Sequence, residues 1–335
     1  MSRIHIHGVG VVSPAGWGMD AFRRALWEGE PVPSSQVQRP DGVPLPVRRV
    51  PAPPARPPWV MHPRLRRSSP IAHHAVAAAI EALGAVDLGA GFPGLGIVAC
   101  VMGGSVLYSG RFFGEVLQQP STASPLLFPE TVFNAPASHL SAVLGTSARN
   151  DTCVADETGF LAGLAVAAEW LVTHQVDRVL VIAAEEIDWT TAEAGRLYTR
   201  AGVLAEGAAA VVLSREESTV ELAAITSPAH YLRGRPRGVA LREVRGQLGE
   251  ADIALSGHAS AFGDAIDIAP VLGNGLAALG GWTCIAAIDA IRRGQARTAV
   301  ACVAGSNLQA LGAGFVRTTD PGAAAQEVHP DCARD

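Results

Sequence analysis

The chain has no lysine: all 26 of its basic residues are arginine. That excludes Schiff-base chemistry and any lysine general base. Charge is sparse as well, with 17% charged residues against the ~25% of an average soluble protein, and only 5% are aromatic. The five cysteines (Cys100, Cys153, Cys284, Cys302, Cys332) are an odd number with no Cys-x-x-Cys pair. Nor does any histidine stand at zinc spacing, so neither a disulfide scaffold nor a zinc module is expected. No metal and no cofactor are expected. No uninterrupted run of about 18 apolar residues occurs, so no membrane span is predicted. Met1 to Gly10 alternates instead of forming an apolar block, which predicts no signal peptide and a cytoplasmic chain. A net charge of −5 and a pI near 6.1 argue against a nucleic-acid partner.

What the chain does contain is small apolar side chains. It is 48% hydrophobic over 335 residues, with the surplus mostly alanine and valine. That composition suits a tightly packed α/β core and leaves room for two fused halves. Ile4 to Val12 alternates and then flattens into an apolar run, as a strand entering a core does. A helix is predicted from Met19 to Trp27, another from Ile71 to Leu83 and a third from Asn134 to Leu144, with a buried strand at Leu95–Val101. The Pro-rich stretch 31–63 has no periodicity and reads as loop.

The most informative stretch is Thr152 to Glu186. A short strand, Thr152–Ala155, turns at Asp156-Glu157-Thr158 into a helix from Gly159 to about Val172, followed by a strand at Arg178–Ala184. The helix is apolar on most faces and rich in small residues, so it should be buried with another backbone close to it. A residue at a sharp strand-to-helix turn is placed as active-site residues often are. The chain then repeats the unit: a helix from Trp282 to Arg293, a turn at Gly294-Gln295 and a strand at Arg297–Val303. Placing Arg297 on Arg178 superposes the two units and points to an architecture of two similar halves, 1–215 and 216–335.

These residues resemble the β-ketoacyl synthases of the thiolase superfamily. Ile6 to Gly16 is similar to their opening strand and turn, and Arg64-Leu65-Arg66-Arg67 to the basic segment before their second helix. Ser124-Pro125, Phe128-Pro129, Asn134 and Ala137 match the approach to the elbow, and Ala205 to Leu213 matches the strand closing the first half. Ser256 to Asp264 falls where the family has His-Gly-Thr-Gly-Thr…Asp, and Gly273 to Gly280 where it has Gly-His-Thr-x-Gly-Ala-Ala-Gly. The resemblance implies a thiolase-like αβαβα fold.

It also implies a missing chemistry. The family takes an acyl group on an elbow cysteine, and two histidines supported by a lysine drive decarboxylation and condensation. Carried over one at a time, the elbow falls on Glu157, the first histidine on Ser256 and the second on Asn274, and the lysine has no counterpart. Cys153 lies four residues before the elbow, in the strand, and is expected to be buried. A carboxylate cannot replace the thiolate, because the mixed anhydride formed lies above the thioester in energy. Ser256 and Asn274 cannot act as bases near neutral pH. The family's Gly-Phe-Gly-Gly gatekeeper segment is replaced by Gly305-Ser306-Asn307-Leu308-Gln309.

The role this implies is a chain-length-factor-like subunit. It would pair with an active ketosynthase, across an apolar interface at Asn134–Ala155, and help wall an acyl tunnel in a type II polyketide, aryl-polyene or fatty-acid-like pathway. An acyl carrier protein is the other implied partner. It is acidic, so either of two arginine clusters could steer it: Arg48, Arg49, Arg56, Arg64, Arg66 and Arg67, or Arg233, Arg235, Arg237, Arg242 and Arg245. Three alternatives stay open: an acyl-thioester hydrolase or acyltransferase using Glu157 and His258, a malonyl-carrier-protein decarboxylase, and a plain scaffold for carrier protein.

Overall fold

A computed structural model describes residues 3–84, 91–199, 202–232, 234–257 and 264–318. The apolar runs become strands, in chain order β1 (His5–Ser13), β2 (Leu95–Val101), β3 (Asn150–Val154), β4 (Arg178–Glu185) and β5 (Gly207–Ser214). They continue with β6 (Val220–Ile225), β7 (Ile253–Ser256), β8 (Ile266–Asp267), β9 (Thr298–Ala304) and β10 (Gln309–Arg317). These lie in the order β8-β7-β9-β10-β6-β1-β5-β4-β2-β3 within one 12-stranded sheet.

That order is one five-strand arrangement used twice. The pairs β3·β2 and β2·β4 are parallel, then β4·β5 and β5·β1 are antiparallel. In the same sequence β8·β7 and β7·β9 are parallel, then β9·β10 and β10·β6 are antiparallel. The two sets join where β1 pairs with β6.

Seven principal helices accompany the strands: α1 (Met19–Glu28), α2 (Pro70–Leu83), α3 (Val106–Gln118), α4 (Ala135–Leu144), α5 (Gly159–Val172), α6 (Arg237–Leu248) and α7 (Ala277–Arg292). Helices α2 and α4 cover one face of the first strand set. Helix α6 covers the outer face of β9 and β10. Between the two sets lie α5 and α7, packed on each other and on strands of both. The layers therefore run helix, sheet, helix, sheet, helix. Every residue of α7 from Ala277 to Ile291 is buried, as its all-round apolar sequence requires.

The repeated helix–turn–strand unit is present, with its register moved by one residue. After α5, Gly-like backbone at His174 (φ 55°) precedes Gln175, whose N–H reaches Trp170 O at 2.9 Å. After α7, Gly294 (φ 72°) precedes Gln295, whose N–H reaches Ala290 O at 2.9 Å. The left-handed residue sets the register, so Arg178 corresponds to Thr298 and not to Arg297. The arginine that opens both sequences is a coincidence of side chains.

Three further expectations are corrected. The 31–63 stretch is not all loop: Ser35–Gln38 and Pro44–Arg48 pair antiparallel, and the latter also pairs with Leu204–Ala205. Helix α3 has no counterpart in the sequence reading, and none of its residues is buried. Cys153 is half-buried rather than buried, because β3 is the last strand of the sheet.

The central helices approach closely at Gly280, where an added Cβ would lie 2.8 Å from Glu157 O. Backbone on both sides cannot yield cheaply. Gly280→Ala is therefore expected to destabilise the chain by about 1–3 kcal/mol of overpacking, outweighing the ~0.5–1 kcal/mol alanine gains within a helix. Urea denaturation checks this, and an unchanged or raised midpoint contradicts the close packing.

Candidate functional site

The elbow forms because Asp156 closes it locally. Its Oδ1 accepts Thr158 N–H at 2.9 Å and Thr158 Oγ1–H at 2.6 Å, while its carbonyl accepts Gly159 N–H at 2.8 Å. The side chain thus bends the chain from β3 into α5. Asp156, Glu157 and Thr158 are all buried, and Glu157 is 2% exposed.

Two segments from the second strand set close over the elbow. Asn274 Nδ2 donates to Glu157 Oε1 at 3.0 Å, and Asn274 Oδ1 accepts Leu276 N–H at 2.8 Å. The β9–β10 hairpin supplies the rest. Ser306 N–H donates to Glu157 Oε2 at 2.7 Å, and its hydroxyl lies 2.9 Å from both carboxylate oxygens. Asn307 N–H donates to Asp156 Oδ2 at 2.7 Å, and Gln309 Nε2 to Thr158 Oγ1 at 3.0 Å. Gly305 is required here, since a Cβ would fall 2.2 Å from the Asp156 carboxylate. Leu276 (φ 52°) and Leu308 (φ 64°) take left-handed backbone to turn both segments inward. Both oxygens of Glu157 are engaged by neutral donors.

Of the residues singled out in sequence, Glu157 and Asn274 are brought together. Ser256 is fully buried at the end of β7, in register with Cys302 and Asp267, and its carbonyl accepts Ile268 N–H at 3.1 Å. His258 lies outside the described residues. Arg64, Arg66 and Arg67 are exposed, and none has a carboxylate partner among the described residues. The first arginine cluster nevertheless divides. Arg48 turns inward and donates to Pro270 O and Val271 O at 2.9 Å, and Arg49 pairs with Glu206 at 3.0 Å. In the second cluster Arg235 is paired with Glu243, and Arg233 lies outside the described residues.

A cavity of about 690 Å³ opens beside the elbow, walled by Met102, Gly103, Val106, Phe113, Thr191, Leu276, Ser306 and Asn307 among others. Its lining is chiefly apolar, and Ser306 stands between it and Glu157. Behind the Met102–Gly103 wall lies Glu185, fully buried, which accepts the N–H groups of Met102, Gly103 and Ala277. Its neighbour Glu186 accepts from Ser69 Oγ, Ile71 N–H and Leu107 N–H, tying the starts of α2 and α3 to the end of β4. Sequence reasoning singled out the 305–309 segment but not its contact through Ser306 with Glu157, and it missed Glu185. The signal for the latter was present: two consecutive acids end a strand that is otherwise apolar after its first residue.

This is the architecture of the thiolase-like β-ketoacyl synthases, and the mixed α/β fold expected from the resemblance is the fold observed. A family model, 3-oxoacyl-[acyl-carrier-protein (ACP)] synthase III, matches residues 152–228, the span from the elbow through β6. Solved structures match over nearly the whole chain. The ishigamide ketosynthase/chain length factor has a TM-score of 0.75 at 18% identity, covering 95% of this chain and 100% of its own. A complex of a type II polyketide synthase acyl carrier protein with its ketosynthase gives 0.77 at 15% identity, covering 95% and 99%. A ketosynthase in complex with its chain length factor from Xenorhabdus doucetiae gives 0.72 at 13% identity, covering 95% and 98%. These likenesses establish the fold. No curated protein matches the chain in sequence. Among the described residues no helix is long and apolar enough to cross a membrane, and no cluster of metal-ligating side chains occurs.

Burial pushes Glu185 up from 4.5 to about 8, against its three backbone hydrogen bonds. Between those values the folded chain holds a proton there that the unfolded chain has lost, so this group's stabilisation falls as pH rises through the window. Buried His74, lowered to about 4, acts with the opposite sign below 6.5. Comparison with Glu185→Gln isolates the acid. The unfolding free energy of the wild type relative to this variant is expected to drop by the slope of one proton from about pH 5 to 8. A pH-independent difference contradicts a protonated Glu185.

Proposed function

We propose that this chain is a non-condensing, chain-length-factor-like subunit of a type II polyketide, aryl-polyene or fatty-acid-like synthase. In this reading it has two ketosynthase-like halves, 1–215 and 216–335, pairs with an active β-ketoacyl synthase and helps wall the tunnel for the growing acyl chain. The observation that carries the reading is the state of Glu157. At the elbow stands a carboxylate whose oxygens are occupied by Asn274 and Ser306, screened from the cavity and without a cationic partner among the described residues. A general base needs an oxygen within reach of the proton it takes. Glu157 instead plugs the reacting position, and the apolar cavity beside it suits a wall for an acyl chain.

The pairing face is read from exposed apolar surface. Edge strand β3 carries Val154 at 55% exposure, and Phe113, Leu117, Leu126, Phe128, Val132 and Phe133 are exposed on α3 and the segment before α4. Phe112 and Phe128 pack with their rings tilted, centroids 5.6 Å apart, so the patch is structured. Apolar surface beside an unpaired strand edge marks an interaction site, and an obligate subunit pair would cover it with well above ~2,000 Å². The ketosynthase–chain length factor and ketosynthase–carrier protein assemblies among the similar structures support these two partners.

Two outcomes test this reading. Alone, the chain is expected to form no acyl adduct with an acyl-thioester donor, whereas co-expressed with its cognate ketosynthase it should co-elute as a stoichiometric pair. Mass spectrometry with peptide mapping that places an acyl group on Glu157 itself would sink the plug and favour the hydrolase or acyltransferase reading. Separately, charge reversal at Arg64, Arg66 and Arg67 is expected to weaken carrier-protein binding at least several-fold at low salt, with the difference fading as salt rises. Binding unchanged in 20–50 mM salt (Debye length about 14–21 Å) removes this cluster as a docking site.

A further inference from the structure

Two cysteines outside the elbow carry chemistry that a plug and a tunnel wall do not use. Cys100 on β2 and Cys153 on β3 are register partners in the parallel pairing of those strands. Neighbouring strands lie ~4.7–4.9 Å apart, so the two Cα atoms fall within the ~4.4–6.8 Å that a disulfide spans. Both thiols are free, and they are hydrogen-bonded to each other.

Their surroundings differ. Cys100 is fully buried against α5, its Sγ 2.6 Å from where a Cβ on Gly163 would sit. Cys153 is half-buried on the edge strand, next to exposed Val154. The hydrogen bond from Cys100 brings Cys153 down to about 7, while the same bond and burial push Cys100 up. Of the two, the accessible sulfur is the one favoured to ionise, and the enclosed one is held in its thiol form. Burial pushes Cys284 well up and Cys302 up to about 12, so neither competes as a nucleophile.

We propose that, in the chain before a partner covers β3, Cys153 and Cys100 form a hydroperoxide-responsive thiol pair that closes to a disulfide. The Cys153 thiolate attacks the O–O bond, giving a sulfenic acid and releasing hydroxide or alkoxide. The Cys100 sulfur then displaces hydroxide from the Cys153 sulfur, and its own proton leaves with that hydroxide as water. Two thiols lose two electrons, and the hydroperoxide is reduced to water and water or alcohol. Direct in-register partners hold their Cβ atoms about a strand spacing apart, wider than the ~3.8 Å an unstrained disulfide prefers, so the bond is readily reduced. Closing it ties the strand that leads into the elbow to the strand that ends at the cavity wall, Met102 and Gly103.

The test uses the full chain purified alone, with β3 uncovered and with Cys332→Ser to remove the cysteine outside the described residues. One equivalent of hydrogen peroxide is expected to cross-link the tryptic peptides 68–111 and 150–178, each of which holds one of the two cysteines. Dithiothreitol should reverse the link. In Cys100→Ser the expected product is a dimedone-reactive sulfenic acid at Cys153. Peptide mapping of the chain with both thiols intact is decisive even if Cys100→Ser fails to fold. Oxidation first at Cys284 or Cys302, or progression of Cys153 to sulfinic acid with Cys100 still a free thiol, overturns the proposal.

Discussion

A carboxylate buried at a strand-to-helix turn must be satisfied by whatever donors the fold can bring to it, because leaving it bare costs several kcal/mol. In a chain without lysine, Glu157 takes its hydrogen bonds from Asn274 and Ser306. Those two residues belong to different loops of the second strand set. The requirements of one carboxylate therefore hold the elbow, the start of α7 and the β9–β10 hairpin in one arrangement. Asp156 adds Asn307 N–H to the same contact. The inward left-handed turns at Leu276 and Leu308 and the bare Cα at Gly305 follow from this closure.

The same device recurs at other strand ends. Glu185 gathers the N–H groups of Met102, Gly103 and Ala277, and Glu186 those of Ile71 and Leu107 with the hydroxyl of Ser69. Glu206 accepts from Val50 N–H and Arg49. Burial raises all three acids, which favours their neutral forms against the donors that favour the charged ones. Loops that in many folds are held by apolar staples are here tied by acids to the strand ends. The arrangement closes over Glu157 and leaves the apolar cavity beside it open.

Much of the framework was legible because it obeys simple periodicities. The apolar runs at Ile4–Val12, Leu95–Val101 and Arg178–Ala184 read as strands because they are short and bounded by turns, and α5 and α7 are central because their sequences have no polar face. The elbow was legible from its small residues and its acid. What escaped was set by backbone and by long-range contacts. The one-residue register of the repeat is fixed by left-handed His174 and Gly294, which side-chain identity at Arg178 and Arg297 concealed. The strands Ser35–Gln38 and Pro44–Arg48 were hidden because proline alternates with apolar residues there, leaving a strand whose partner, Leu204–Ala205, is far along the chain. Ser306 could not be found locally, since its role exists only once the hairpin meets Glu157. Arg48 and Arg49 looked like surface charge, and only the folded chain supplies the carbonyls and the carboxylate that turn them inward.

The central claim is that Glu157 fastens the elbow and performs no proton transfer. The direct measurement is product formation by the reconstituted subunit pair carrying Glu157→Gln, beside the unfolding free energy of the same variant. The amide keeps an acceptor for Ser306 but faces Asn274 Nδ2 with a second donor, so stability should fall by about 1–3 kcal/mol. Product formation should stay within a few-fold of wild type. A loss of a hundredfold or more (about 2.7 kcal/mol of barrier) in a pair that still assembles would contradict the account and make Glu157 a base.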